Sequence, residues 1–302
     1  MAYVAVMSGV VLAATLTAEL PRTQPANIGS EAGRGLTNAF FVMDTATRGD
    51  NRKDFEAQVK MVKDLGYAGW TISNVDDFRE MVKAADAGGV KLFAVYVQAS
   101  VDDDAPPYDP RLKDILAALK GRQTIVWIYL RSNKFKPSSD AADGRAVATL
   151  EEIAGMAEQA GLRVALYPHF AFHVERVEHA LRLVQRVRHR NVGITFNLCH
   201  WLRTEPEGDL DAVLRQAMPY LYLVTINGAD RGAASWDRLI RVLGRGDFDV
   251  YAVLKTLRRL GYEGPIGFQG YGIKGDIREN LDATMKAWRQ YVDRMATESR
   301  GR

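Results

Sequence analysis

Two of the chain's five histidines, His169 and His200, each fall just beyond the end of a short apolar run. An imidazole so placed can move a proton near neutral pH, hold a metal ion or orient a hydroxyl. Polar side chains occupy the matching place after other apolar runs: Asp44, Gln98, Arg131 with Lys134, Tyr167, Asn197, Asn227 with Asp230, and Gln269. One such residue is ordinarily just solvated. One after nearly every run calls for a reason, because each must be paired or wetted. His169 and His200, with the carboxylates Asp44 and Asp230, are candidates for general acid and base. Tyr167, Asn197, Asn227, Gln269 and Trp201 are candidates for holding a polar ligand, and Arg131 and Lys134 for neutralising an enolate or an acidic substituent. His173 follows His169 by four residues and could also turn toward the site, whereas His179 and His189 fall on helix positions and read as surface. Cys199 is the single cysteine, so no internal disulfide forms, and its apolar neighbours suit a packed thiol better than a nucleophile.

The elements that must position these residues are visible as a rhythm. Apolar, β-rich runs at Ala39–Met43, Gly69–Ser73, Lys91–Val97, Thr124–Leu130, Arg163–Tyr167, Val192–Asn197, Tyr220–Ile226 and Pro265–Gln269 are continuous rather than alternating. That pattern predicts strands covered on both faces. Amphipathic stretches lie between them, among them Asp54–Leu65, Leu150–Ala160, Val174–Val187 and Val250–Leu260. Gly66, Gly161 and Gly261 stand where a helix end needs a left-handed residue, and Leu65-Gly66-Tyr67 and Leu260-Gly261-Tyr262 repeat one helix-to-strand device. Eight such units in roughly 260 residues predict a single-domain (β/α)8 TIM barrel, with the polar residues gathered at one mouth. The competing open sheet usually carries a Gly-rich turn after its first strand, and Asp44-Thr45-Ala46-Thr47 is not one.

Composition agrees with a globular protein: 302 residues, 47% hydrophobic and 25% charged. A net charge of +3, from 40 basic and 37 acidic residues, is too even to point to nucleic acid, and the basic stretch Arg176 to Arg190 reads as a solvated helix face. Residues 1–18 carry no charge and are mostly apolar, with Leu16-Thr17-Ala18 as an acceptable cleavage site, although the usual basic residue near the start is missing. They read as a signal peptide, which predicts export, the alternative being a cytoplasmic protein. Residues 19–37 read as a linker, 38–296 as the barrel and 297–302 as a polar tail. Apart from the N-terminal run, no segment is apolar and long enough to cross a membrane.

Two stretches carry a family resemblance: Asn191-Val192-Gly193-Ile194-Thr195-Phe196-Asn197-Leu198-Cys199-His200, and Leu243-Gly244-Arg245-Gly246-Asp247-Phe248-Asp249 followed by Gly261-Tyr262-Glu263-Gly264-Pro265-Ile266-Gly267-Phe268-Gln269. From about Asn38 to Val292 the chain resembles the sugar phosphate isomerase/epimerase group with the xylose isomerase-like barrel. The resemblance implies a carbohydrate substrate and a divalent metal held by two Glu, an Asp and a His at strand ends. His200 stands where that His belongs, but Asn197 replaces the Asp, Gln269 the final Glu and Tyr167 the strand-five Glu, with His169 matching a nearby family His. The implied metal residues are therefore His200, Asn197, Gln269 and His169. Neutral amides hold a hard ion such as manganese poorly, and two imidazoles suit zinc without completing its shell. The lost Glu pair are also the proton acceptors of the isomerases.

The resemblance favours an enzyme that isomerises or epimerises a sugar by proton transfer next to a carbonyl. A barrel that only binds carbohydrate, and a lyase or hydrolase on the same scaffold, stay open. The expected partner is a small carbohydrate rather than nucleic acid, since similar barrels that repair abasic DNA rely on carboxylates these strand ends lack. An oligomer stays open.

Overall fold

The computed structural model describes residues 36–49, 52–206 and 208–300. The expected signal peptide and most of the expected linker lie outside the described residues. Eight parallel strands close in sequence order into a barrel. They are β1 (Phe40–Val42), β2 (Gly69–Ile72), β3 (Lys91–Ser100), β4 (Ile125–Arg131), β5 (Arg163–Leu166), β6 (Val192–Asn197), β7 (Leu221–Ile226) and β8 (Ile266–Phe268). Closure is made by β1 against β8, with Phe40 opposite Ile266 and Val42 opposite Phe268. Helices α1 (Phe55–Asp64), α2 (Phe78–Gly88), α3 (Leu112–Leu119), α4 (Asp143–Gln159) and α5 (Val177–Val184) follow the first five strands. After β6 come α6 (Leu198–Thr204) and α7 (Leu210–Ala217), after β7 α8 (Trp236–Leu239) and α9 (Val250–Arg259), and after β8 the long α10 (Ile277–Arg300).

Local chemistry explains several boundaries. Asp54, Asp209 and Asp249 each accept the backbone N–H three residues on, which caps α1, α7 and α9. Gly66 and Gly261 take positive φ, and the Tyr67 and Tyr262 amides bond back to Val62 and Leu257. The repeated phrase is thus a helix stop that aims the chain into the next strand. Three expectations shift: β3 runs on to Ser100, α4 starts at Asp143, and α10 extends through Arg300 into the stretch read as a tail.

Side chains divide into two layers. Outward residues such as Val42, Ile72, Val126 and Phe196 pack under the helices. The interior is mainly aromatic: Phe41, Phe93, Trp127 and Tyr167 are buried there, with Tyr96 and Tyr129 half-buried toward the mouth. Phe41 stacks on Phe93 at 4.9 Å and Tyr96 on Tyr129 at 4.1 Å. Rings this bulky need small residues opposite. A Cβ at Gly267 would stand 2.2 Å from the Phe41 ring, so glycine there is a packing requirement. No helix among the described residues is long and apolar enough to cross a membrane.

Candidate functional site

The mouth at the C-terminal strand ends is where β5 and β6 bring their histidines together. Tyr167 directly follows β5, and its ring edges toward Tyr96 at 5.0 Å and lies 5.2 Å from Trp127. Its phenol oxygen accepts a hydrogen from Asn197 Nδ2 at 2.5 Å, with the Gln269 side chain beside it. Asn197 ends β6 and caps α6, so its Oδ1 accepts from Cys199 Sγ at 3.0 Å and from the His200 amide at 3.5 Å. The first turn of α6 then carries the His200 ring over His169, with centroids 3.8 Å apart and planes tilted by 41°.

His169 is held by its own loop. Its amide donates to Val174 O at 2.9 Å, and Nδ1 meets Phe170 O at 2.7 Å. A carbonyl partner requires Nδ1 to carry the hydrogen, which leaves Nε2 as the acceptor. Phe172 stacks on the other face of His169 at 3.9 Å, and Arg131 lies over Phe172 with Cζ 5.0 Å from the ring centre. Trp236 meets His200 edge-on at 5.5 Å. The result is one column: Arg131, Phe172, His169, His200, Trp236.

Burial keeps this centre neutral. It pulls His169 down to about 4, with the Arg131 charge adding to the effect. His200 is lowered well below its usual range, first by burial and then by His169, and its Nδ1 is buried without a partner. Burial also pushes the Tyr167 phenol and the Cys199 thiol upward.

Other expected site residues go elsewhere. Asp44 is fully buried, but its oxygens are taken by Arg48, Ser73 and Thr71. Asp230 is clamped by Arg238 and Arg241, which lower its carboxyl pKa, beside a smaller cleft of about 270 Å³. Lys134 turns to Asp103 and Asp104. Asn227 donates to the Gly228 and Leu239 carbonyls, leaving Oδ1 buried without a partner. Trp201 packs on Phe196 in the outer layer, away from the mouth. His173 is buried against Phe135 and His179. His179, expected at the surface, is 1% exposed and bonds Asp143 through Nε2 at 3.1 Å. Of the basic stretch, Arg182 and Arg186 also bind Asp143, and Arg188 binds Glu151.

Sequence reasoning missed Phe172, Trp236, Tyr96, Tyr129 and Arg48. Arg48 had a usable signal, since it lies four residues after Asp44. The aromatic partners had none, because apolar residues in loops read as packing.

Beside the histidine column opens a cleft of about 550 Å³ at the ends of β2, β3 and β4, lined by Ser73, Tyr96, Gln98, Tyr129 and Arg131 among others. It meets the column where Tyr96 touches Tyr167 and where Arg131 covers Phe172.

A closed barrel with this mouth defines the class, and comparison places the chain in it. Residues 74–291 match the xylose isomerase-like TIM barrel family, and the chain belongs to that family. It is 25% identical over 185 residues to a ketose 3-epimerase of Arthrobacter globiformis, a stretch spanning 59% of this chain and 59% of that relative. Among solved structures it is similar to D-allulose 3-epimerase from Methylomonas sp. in complex with D-allulose, with TM-score 0.67, 14% identity, and coverage of 86% of this chain and 99% of that one. It is also similar to 3-keto-D-glucoside 4-epimerase from E. coli, with TM-score 0.66, 18% identity, and coverage of 84% and 99%. A third likeness is to the IOLI protein with a bound zinc atom, with TM-score 0.69, 18% identity, and coverage of 85% and 99%. The chain is thus related to sugar epimerases and isomerases.

The zinc atom of the IOLI protein raises the question of whether these residues fit a divalent ion. The lone pairs of Asn197 Oδ1 are engaged by Cys199 and His200, and those of Gln269 Oε1 by Thr45 at 3.2 Å and Tyr271 N at 3.3 Å. Among the described residues no three His, Cys, Asp or Glu side chains are grouped to hold a metal ion. Two imidazoles without a carboxylate do not fit a hard divalent ion and leave a zinc shell incomplete. Asn197 serves the phenol and the helix cap instead, and Gln269 binds Thr45 and the Tyr271 amide.

Proposed function

We propose that this barrel is a sugar epimerase or isomerase in which a neutral imidazole, His169, rather than a carboxylate, moves the proton next to the substrate carbonyl. The observation that supports it is the His169–His200 pair, centroids 3.8 Å apart at the mouth beside the Tyr167 phenol. In this reading His169 Nε2 takes the hydrogen from the carbon next to the carbonyl. The electron pair moves onto the carbonyl oxygen, and the Tyr167 hydroxyl, whose oxygen already accepts from Asn197, turns its own hydrogen to that oxygen. Return of the proton by His169 to the former carbonyl carbon, after the hydroxyl hydrogen has passed to the former carbonyl oxygen, isomerises the sugar. Return to the original carbon by a water on its opposite face, with His169 giving its proton to solvent, epimerises it. His200, stacked 3.8 Å away, holds the His169 ring. A base held near 4 is weak, but all of it is in the base form at neutral pH. The anionic intermediate offsets the charge that His169 acquires.

The test is exchange in deuterated water. Wild-type protein with chelator is incubated with D-allulose, D-fructose and L-ribulose, and NMR follows deuterium entry next to the carbonyl and appearance of the epimer. Chelator-insensitive exchange supports the reading.

A second reading, a barrel that binds carbohydrate without turnover, is favoured by the clamping of Asp44 and Asp230 by arginines. Saturable binding of the same sugars with no deuterium entry selects it.

A further inference from the structure

We infer that the ligand of this mouth is an acidic sugar, its carboxylate or phosphate group seated on Arg131. The inference rests on the reading that the His169–His200 pair is the reacting centre, and it names the substrate class that centre receives. It starts from how charge is distributed around the β2–β4 cleft. Asp76 and Asp109 both pair with Arg111. Asp102 takes hydrogens from the Ser132 hydroxyl and the Asn133 amide. Lys134, a further cation nearby, is held by Asp103 and Asp104. Arg131 is different. It ends β4 and lines the cleft, and among the described residues its side chain has no ion pair or hydrogen bond and packs on the face of Phe172, 5.0 Å from Cζ. A guanidinium lying over a ring keeps its N–H edge free, in the fork that matches a carboxylate or a phosphate.

Position strengthens the case. Only the Phe172 ring separates Arg131 from His169, and the Phe172–His169 stack at 3.9 Å holds all three in line. Arg131 is exposed at the rim of the mouth, and its charge reaches His169, Tyr96 and Tyr129. A neutral polyol gives this charge nothing to pair with. An anionic group on the sugar pairs with it. Acid and hydroxyl ends of one ligand then divide between the cleft and the histidine column.

The test compares sugars that differ in the acidic group alone. Full-length protein is titrated calorimetrically with D-glucuronate against D-glucose, and with D-fructose 6-phosphate against D-fructose. NMR follows the His169 ring through each titration. We expect at least one acid to bind about tenfold or more tighter than its neutral counterpart, the favoured arm telling carboxylate from phosphate. We expect that ratio to fall below about twofold in Arg131→Gln and to survive in part in Arg131→Lys, which keeps the charge but not the fork. The His169 ring resonances should shift as the acid binds. Acids that bind no better than neutral sugars, or a preference that Arg131→Gln leaves intact, overturn the inference. Deuterium exchange separates the two readings. Exchange into neutral ketoses without any acid preference leaves the epimerase standing and removes this inference. Acids that seat on Arg131 without exchange do the reverse.

Discussion

Asn197 gives an amide hydrogen to the Tyr167 phenol at 2.5 Å while its carbonyl oxygen caps the helix that carries His200. One side chain thereby fixes the phenol and the second imidazole together. An aspartate at 197 could still cap α6, but it has no hydrogen to give Tyr167.

That division of labour sets the first prediction. Asn197→Asp with Gln269→Glu adds two carboxylates beside His200. We expect manganese affinity, measured by titration calorimetry, to rise at least about tenfold over the wild type, since full charges offset dehydration where amides do not. No rise would mean that the aromatic floor at Tyr167 has closed the site to an ion.

The imidazoles are expected to be needed for exchange. His169→Ala should slow deuterium entry by roughly 10²–10⁴-fold, the usual span for a positioned acid or base, and His200→Ala by less, since it removes only the ring that holds His169. Calorimetric sugar affinity should change far less. Exchange that persists in both variants would place the base elsewhere.

Acid should weaken the fold. His169 and His179 are held near 4 in the folded chain against an ordinary 6.5, and burial is the leading cause for both. The unfolded chain therefore binds protons that the folded one refuses, and stability falls as pH drops from about 6.5 toward 4. The slope is at most about 1.4 kcal/mol per pH unit for each such imidazole. Urea unfolding at a series of pH values should show this, with a shallower slope in His179→Phe. A profile flat below pH 6.5 in the wild type would contradict it.

Gly267→Ala tests the barrel interior. The added methyl would fall 2.2 Å from the Phe41 ring, which is itself stacked on Phe93. We expect a loss of about 1–3 kcal/mol in urea unfolding, the usual cost of overpacking. A neutral result would mean that the rings can shift.

The barrel was legible because its strands are covered on both faces and so read as unbroken apolar runs; Val192–Asn197 was placed to the residue. The histidine pair was legible from strand ends alone. Partner choice was not. Asp44 and Asp230 look like catalytic acids in sequence, and only the folded chain brings Ser73 and Thr71 to the first and arranges Arg238 and Arg241 around the second. His179 misled for a related reason. Its helix buries most of its circumference between the sheet and α4, so a polar residue with a partner at Asp143 is accommodated inside.

The column at the mouth has an optical consequence. Trp236, 38% exposed and edge-on to His200, is one of five tryptophans, and the other four are buried. A ligand that displaces water from His200 must change the surroundings of that indole, while Trp127 reports on the floor beneath Tyr167. The protein thus carries an intrinsic fluorophore at the entrance and a second in the base. Quenching by iodide should reach the first and spare the second, so occupancy of the mouth can be read from emission without any label.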